Sequence, residues 1–434
     1  MAIDQVDVTY DVAIIGAGAA GLATAIFAAR ARPRLRIALL DGAAKPGAKI
    51  LVAGGGRCNV TNRCVRPADF NGSSRNAIKK VLAALPVPKT IAWFAEMGVT
   101  LHEEEHGKLF PDSNQARTVL DALLAEVRRH GAKLLTAHRV TAIGPATTSG
   151  GASPTADEAR FHVHVRVEGG DAETVIRARR VVLATGGMSL PKTGSDGAGY
   201  ELARRLGHSL VPTVPALVPL VLDGDFHAGL SGVAQDVELT VTPEGGKPVR
   251  IAGALLWTHF GVSGPAVLDA SRHWLRARQE RRPCTITANL LPGDNAASAE
   301  AKLLDLVARQ PRTILRNAMS AWLPARVVDA LLARLRIDGR VPLAHLSKDV
   351  RRRWLGALLA WPLPVRDSRG YVHAEVTAGG IPLDEVDTAT MQSKRCPGLY
   401  FVGEILDVDG RIGGFNFQWA WSSGYVAGHA LARL

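Results

Sequence analysis

The feature that most constrains this chain is a glycine turn set between a strand and a helix near its start. Tyr10 to Ile15 (YDVAII) is a short apolar, β-branched run of the kind buried in parallel sheets. It ends in Gly16-Ala17-Gly18-Ala19-Ala20-Gly21, and the alanine-rich LATAIFAARAR that follows reads as a helix closed by Pro33. Leu35 to Leu40 reads as a second strand and ends on Asp41. A β-α-β unit with this turn has the pattern of a dinucleotide-binding fold. In that pattern Gly16 makes the tight turn, and Gly18 lets backbone N–H groups, with those of Ala19 and Ala20, approach a pyrophosphate. Gly21 admits close packing of helix on strand. Asp41 suits a ribose 2′-OH and would repel a 2′-phosphate, which favours FAD or NAD over NADP.

The rest of the chain alternates in texture. Gly47 to Asn62 is glycine-rich and too irregular for a regular element. Helical patterns follow over Asn76 to Leu85, Pro88 to Met97 and Ala116 to His130. Strand-like segments come next at Lys133 to Ile143, Phe161 to Val167 and Val175 to Thr185, with Ala146 to Asp157 as a loop or hairpin tip. From Pro212 the sequence turns to alternating β segments, through Val218 to Leu222, Val237 to Val241, Val249 to Leu256 and Cys284 to Leu290. Helical sequence fills Ala296 to Leu359, and near Ser368 the chain returns to β and glycine-rich sequence. The expected architecture is therefore α/β: a Rossmann-like FAD-binding domain with a parallel sheet, interrupted by an inserted β-barrel-like plus helical module. Its expected parts are 1–211, a β-rich insert over 212–292, a helical insert over 293–365, and 366–434 returning to the first domain.

The formal charge of +12 is uneven. Arg272 to Arg353 holds 17 Lys plus Arg against 7 Asp plus Glu, whereas the remainder has 35 bases against 33 acids. Such a segment either attracts a polyanion or is a solvated helical surface. The four cysteines show no C-x-x-C pair, so neither a disulfide framework nor a metal site is expected. No apolar stretch reaches the roughly 18 residues of a membrane helix and no leader is apparent. A cytoplasmic protein with no membrane partner is the expectation.

Choosing FAD over NAD rests on the C-terminal region. Leu399 to Val402 reads as a buried strand ending in Gly403-Glu404, with Asp407 just beyond. Gly413-Gly414-Phe415-Asn416-Phe417-Gln418 then opens a helix over about Gln418 to Leu431. A second helix N-terminus so far from the first suits the flavin ring, and Glu404 suits the ribityl hydroxyls. A plain strand–turn–helix closing the domain would have the same sequence.

On these motifs the chain resembles the BaiN/RdsA family of FAD-dependent oxidoreductases. The resemblance runs nearly end to end. It includes the Gly16–Gly21 turn, Gly54-Gly55-Gly56-Arg57-Cys58-Asn59-Val60-Thr61-Asn62, Ala184-Thr185-Gly186-Gly187 and Gly403-Glu404-Ile405-Leu406-Asp407. It also includes Thr258-His259-Phe260-Gly261-Val262-Ser263-Gly264-Pro265 and the Gly413 to Gly424 run. The resemblance implies that 53–61 wraps the cofactor and that Ala184 to Gly187 approaches its adenosine side; Lys49 and Val140 are further candidate contacts. Two positions depart from the pattern: Ala53 stands where many relatives have Ser, and Phe260 where some have Arg.

Two residues are candidates for the chemistry itself. Cys58 is either a redox thiol or proton donor beside a flavin, or a small residue packed in a tight loop. His259 is either a general acid or a turn residue. No second G-x-G-x-x-G opens a helix, so NAD(P)H is expected as a transient reductant. The leading expectation is an FAD-dependent enzyme that takes hydride from NAD(P)H and delivers it to a C=C bond. The resemblance offers three substrate classes: unsaturated bile-acid-like ketones, uridine in ribosomal RNA, and small amines such as aminoacetone oxidised with release of peroxide. A flavin-containing RNA-binding protein without catalysis is the alternative outside enzymes. The basic segment favours ribosomal RNA over a small-molecule substrate. Oligomeric state is not legible.

Overall fold

The structure is a computed structural model that describes residues 9–145, 159–168 and 173–433. The expected loop at Ala146 to Asp157 lies outside the described residues. The chain divides into two compact units, Met1–Thr213 with Glu375–Leu434, and Val214–Ala374.

The first unit is built on a parallel sheet. At its centre β1 (Thr9–Ile15) lies beside β2 (Ile37–Leu40) on one side and Glu173–Leu183 on the other. Lys133–Leu135 and Leu399–Phe401 extend the parallel run outward. His138–Pro145 and Phe161–Val167 add an antiparallel branch along Glu173–Leu183. The left-handed Ala137 splits the expected Lys133 to Ile143 strand in two.

Both faces of β1 are covered, which is why YDVAII shows no alternation. The helix α1 (Ala19–Ala31) is buried nearly all round because it lies between the sheet, Ala116–Arg129 and the last helix, Phe415–Ala432. Small side chains make this packing possible: Gly424 and Gly428 sit directly on Ala20, Ala23, Thr24 and Phe27. Gly21 is the tightest point. A methyl group there would come within 1.9 Å of the Gly16 carbonyl oxygen.

The second unit holds a seven-stranded sheet in the order Trp361–Leu363, Cys284–Asn289, Ala234–Pro243, Val249–Thr258, Gly261–Ser263, Leu220–Leu222 and Val365–Ser368. Its two end strands are consecutive in the chain, with Pro364 alone between them. The edges therefore meet, and the sheet is barrel-like. Helix Pro265–Gln279, which the sequence reading did not anticipate, packs on strands Ala234–Pro243 and Val249–Thr258.

This topology corrects two expected boundaries. Val365–Ser368 pairs with Leu220–Leu222, so the insert runs on to Ala374 instead of ending at residue 365. Trp361–Leu363 pairs with Cys284–Asn289, so the helices between 296 and 359 are an excursion from one sheet and not a separate module.

Candidate cofactor site

The first end of the site lies at the Gly16–Gly21 turn. Gly18 is the N-cap of α1 and no side chain caps it. The first-turn N–H groups of a helix have no intrahelical acceptor, so they are open to an anion. Nothing lies within 4 Å of where a side chain on Gly18 would begin. The Ala184 carbonyl covers Gly16 from the neighbouring strand.

Asp41 stands at the end of β2, half-buried. One of its oxygens accepts from Ala17 N at 2.8 Å and the other from Ala43 N at 2.8 Å. Burial pushes its carboxyl pKa above the usual range, against the opposing pull of those two N–H groups and Arg139. Each carboxylate oxygen keeps a lone pair for a ribose hydroxyl. The His138 N–H donates to the Asp41 carbonyl, which brings 138–140 alongside. Val140 itself is buried, so only its backbone could meet a ligand. Thr185 Oγ1 is buried against Gly199 with no hydrogen-bond partner among the described residues.

A polar cluster forms the second end. Lys49 donates to Glu404 Oε2 at 2.7 Å and to Ser189 Oγ at 2.8 Å. Ser189 Oγ donates to Glu404 Oε1 at 2.9 Å, and the Thr377 N–H reaches the same oxygen at 2.9 Å. Thr377 Oγ1 in turn accepts from Met188 N at 2.8 Å. Gly187 must lack a side chain here, because a methyl would meet Thr377 Oγ1 at 2.4 Å. Three segments distant in sequence thus converge on the Glu404 carboxylate. Three of its four acceptor directions are filled, which leaves one for a ligand hydroxyl. Lys49 and Glu404 were expected here, but Ser189 and Thr377 were missed. Their signal was the Val376–Gly380 run, small and β-branched residues ending in two glycines just after the insert.

The two long family-like motifs turn out to be knitted to each other. Asn62 donates to Gly413 O at 3.1 Å, and Thr61 Oγ1 donates to Gln418 Oε1 at 2.7 Å. Asn59 accepts from Gly414 N at 3.1 Å and donates to Thr61 O. Gln418 Nε2 donates to Leu85 O at 2.8 Å and Thr90 Oγ1 at 2.9 Å, with the side chain buried. Trp421 Nε1 reaches Val60 O, and Trp419 Nε1 reaches Gly403 O. Asn416 clamps both backbone groups of Gly410. Phe417 stacks on Trp421 at 5.5 Å.

These contacts narrow how several expected cofactor residues could serve a ligand. The side chains of Asn59, Thr61, Asn416 and Gln418 are committed to the scaffold, because each already has its hydrogen bonds inside the protein. Arg57 is also committed: it pairs with Glu104 at 2.6 Å and lies over the Phe110 ring. What this region offers a ligand is backbone. Gly54, Gly55 and Gly56 run in succession through left-handed conformations and are exposed. They follow a short helical stretch that starts at Ala48, where no regular element was expected. Gly414 N-caps the last helix without a side-chain cap; Asp407 is buried and accepts from Ser73 Oγ.

Cys58 is corrected as a catalytic candidate. It is fully buried, and burial pushes its thiol pKa up to about 12, so the reactive thiolate does not form near neutral pH. His259 belongs to the second unit, exposed in the turn between Val249–Thr258 and Gly261–Ser263, its ring edge-on to Phe260. At Phe260, where some relatives have Arg, the Arg369 guanidinium lies 4.6 Å above the ring. A cation is thus supplied from another strand end of the same unit.

An open helix start, a ribose acceptor on the adjacent strand and a hydroxyl-ready carboxylate fit the ADP and ribityl parts of FAD. The fold and site are those of an FAD-dependent oxidoreductase. Residues 10–430 match the model described as the HI0933-like protein Rossmann domain, and the chain belongs to that family. It is 33% identical over 422 residues to the ribosomal RNA dihydrouridine synthase of Haemophilus influenzae, covering 97% of this chain and 98% of that one. It is 32% identical over 422 residues to the 3-dehydro-bile acid delta(4,6)-reductase of Clostridium scindens, covering 97% and 99%. Among solved structures, the 3-ketosteroid delta1-dehydrogenase of Sterolibacterium denitrificans shares the fold, with a TM-score of 0.51 at 13% identity, covering 98% of this chain and 99% of that one. No helix among the described residues is long and apolar enough to cross a membrane.

Proposed function

We propose that the protein uses NAD(P)H to reduce a C=C bond conjugated to a carbonyl, and that this bond belongs to uracil in ribosomal RNA. Bound FAD supplies the hydride chemistry. The chain's own part is to hold and orient. The N–H groups at Gly18, Ala19 and Ala20 would hold the pyrophosphate, Asp41 would take the ribose, and Lys49 fixes Glu404, which would take the ribityl hydroxyls. The reaction is assigned to the cytoplasm, where ribosomal RNA and NAD(P)H are both found.

The observation that carries RNA over a small ketone is the charge of the second unit. Arg281, Arg312, Arg334, Arg336, Arg340 and Lys348 are exposed and form no ion pair with any described residue. Hydrogen bonds join Leu315 to Val341 and Arg316 to Gly339, which brings Arg312 and Arg340 onto neighbouring backbone. Unneutralised guanidinium groups on one helical region suit phosphate contacts. A small ketone has no use for them.

Nucleoside mass spectrometry of ribosomal RNA from a deletion strain tests this. Loss of one dihydrouridine, restored by the gene, is the expected outcome. Retention of every dihydrouridine sinks the RNA reading. Turnover of a 3-oxo steroid with NAD(P)H, and none with RNA, would move the protein to the ketone class. Peroxide from aminoacetone without NAD(P)H would move it to the amine oxidases.

A further inference from the structure

Arginines around strand Val365–Ser368 of the second unit are of two kinds. Arg278 pairs with Asp367 at 3.0 Å, and Arg366 lies 3.7 Å from Asp223. Arg369, the residue just after that strand, has no carboxylate partner among the described residues. Its guanidinium instead lies 4.6 Å from the centre of the Phe260 ring, and its Nη2 donates to His373 Nε2 at 2.7 Å.

Both ends of the stack are fixed to one strand. The Arg369 N–H donates to Pro219 O at 3.0 Å, and the Leu222 N–H donates to Phe260 O at 3.1 Å. Leu220–Leu222 has Gly261–Ser263 on one side and Val365–Ser368 on the other, so the two side chains meet across it. His259 packs edge-on against the same ring at 5.1 Å. The ring fixes the plane of the guanidinium and His373 fixes its rotation, so little rotamer entropy is left to lose on binding. The side chain is half-buried, and part of its hydration is already gone. One of its five N–H donors is taken by His373, and the other four meet no acceptor among the described residues. A full charge on a rigid, flat fork with open donors suits an oxyanion taken bidentately.

We infer that Arg369, held by Phe260 and His373, is the binding site for a phosphate group. The choice of phosphate rests on the function proposed above, whose reactants carry phosphates and no carboxylate. The RNA offers a phosphodiester, and NADPH offers its 2′-phosphate.

The test uses FAD-loaded, full-length protein. Arg369→Met keeps a stem on the Phe260 ring, and Arg369→Lys keeps the charge without the fork. Both should match wild type in FAD content and Tm. Titration of 15N-arginine-labelled wild type with inorganic pyrophosphate should shift one side-chain Nε–H resonance saturably, and Arg369→Met should lack that resonance. If the phosphate is that of RNA, Arg369→Met should weaken binding of a ribosomal RNA hairpin about tenfold. The slope of log affinity against log salt should fall by about one, and Arg369→Lys should recover only part of the affinity. If it is that of NADPH, the KM for NADPH should rise about tenfold while that for NADH changes far less. Either result supports the site and names its ligand. The absence of a saturable shift at Arg369 overturns the inference. So do an RNA affinity, salt slope and NADPH KM all unchanged in Arg369→Met, and so does loss of FAD or of Tm in that variant. If the shift is present but wild type neither binds RNA nor oxidises NADPH, the phosphate site stands and the proposed function fails.

Discussion

Two glycine turns open the two helices that pack against each other in the first unit, and they work in opposite ways. At Gly16–Gly21 side chains are almost absent, and the turn offers bare N–H groups with one acid lent by the next strand. At Gly413–Gln418 nearly every side chain is engaged, tying the turn to residues 59–62, Leu85 and Thr90. The first turn leaves its N–H groups open to a ligand. The second is shaped by what it must hold still, and what it leaves open is backbone carried on a braced frame. A long specific motif is therefore no measure of direct ligand contact.

Gln418→Ala should break this contrast most severely if it is mistaken. It takes a partner from Thr90 in the core, leaves the Leu85 carbonyl only the Ser422 hydroxyl, and removes the acceptor of Thr61, which should cost about 3 kcal/mol. Thermal melts of FAD-free protein check it. A loss of FAD affinity without a fall in the FAD-free Tm would return Gln418 to the ligand side.

Asp41→Asn should have the reverse signature, with FAD affinity down about tenfold, or ~1.4 kcal/mol, and a modest change in the FAD-free Tm. Equilibrium titration of the stripped protein measures it. The pH dependence follows from the raised carboxyl pKa. The folded chain takes up a proton at Asp41 at higher pH than the unfolded chain, whose value is near 3.8. This favours the fold at and below 3.8, and the advantage is lost as pH rises through the raised folded value. FAD binding follows the opposite sense, since the protonated acid is a poorer ribose acceptor. Wild-type affinity should decline as pH falls through that window, and Asp41→Asn should be flat across it.

The smallest effect belongs to Cys58→Ala. Turnover should stay within about twofold and stability should fall by about 1 kcal/mol, the scale of one buried small group. Thiol labelling of native protein sharpens the point, since exposed Cys64 should react and buried Cys58 should not. A wild-type activity lost on Cys58→Ala with an unchanged Tm would restore the redox thiol.

The parts legible in the sequence were those governed by local chemistry. The strand, turn and helix from Tyr10 to Ala31, and Asp41 beyond them, depend on backbone sterics and periodicity, which a short window contains. The parts not legible depend on partners far along the chain. Nothing near Thr61 announces Gln418, and nothing near Lys49 announces Ser189, so hydrogen-bonding residues in rich motifs looked like ligands. The insert's end was misplaced for the same reason, because Val365–Ser368 declares itself a barrel strand only through its pairing with Leu220–Leu222.

The parallel sheet also has a consequence for how the protein is made. Leu399–Phe401 pairs with Val181–Leu183, and α1 rests on a helix that ends at Ala432. Nearly the whole chain must leave the ribosome before these pairings can close, with all of Val214–Ala374 intervening. Closing so long a loop slows the step more than it weakens the product. Until then Leu22, Ile26 and the inner face of β1 stay uncovered. The nascent first unit thus exposes apolar surface until Leu399–Phe401 and Phe415–Ala432 arrive to cover it.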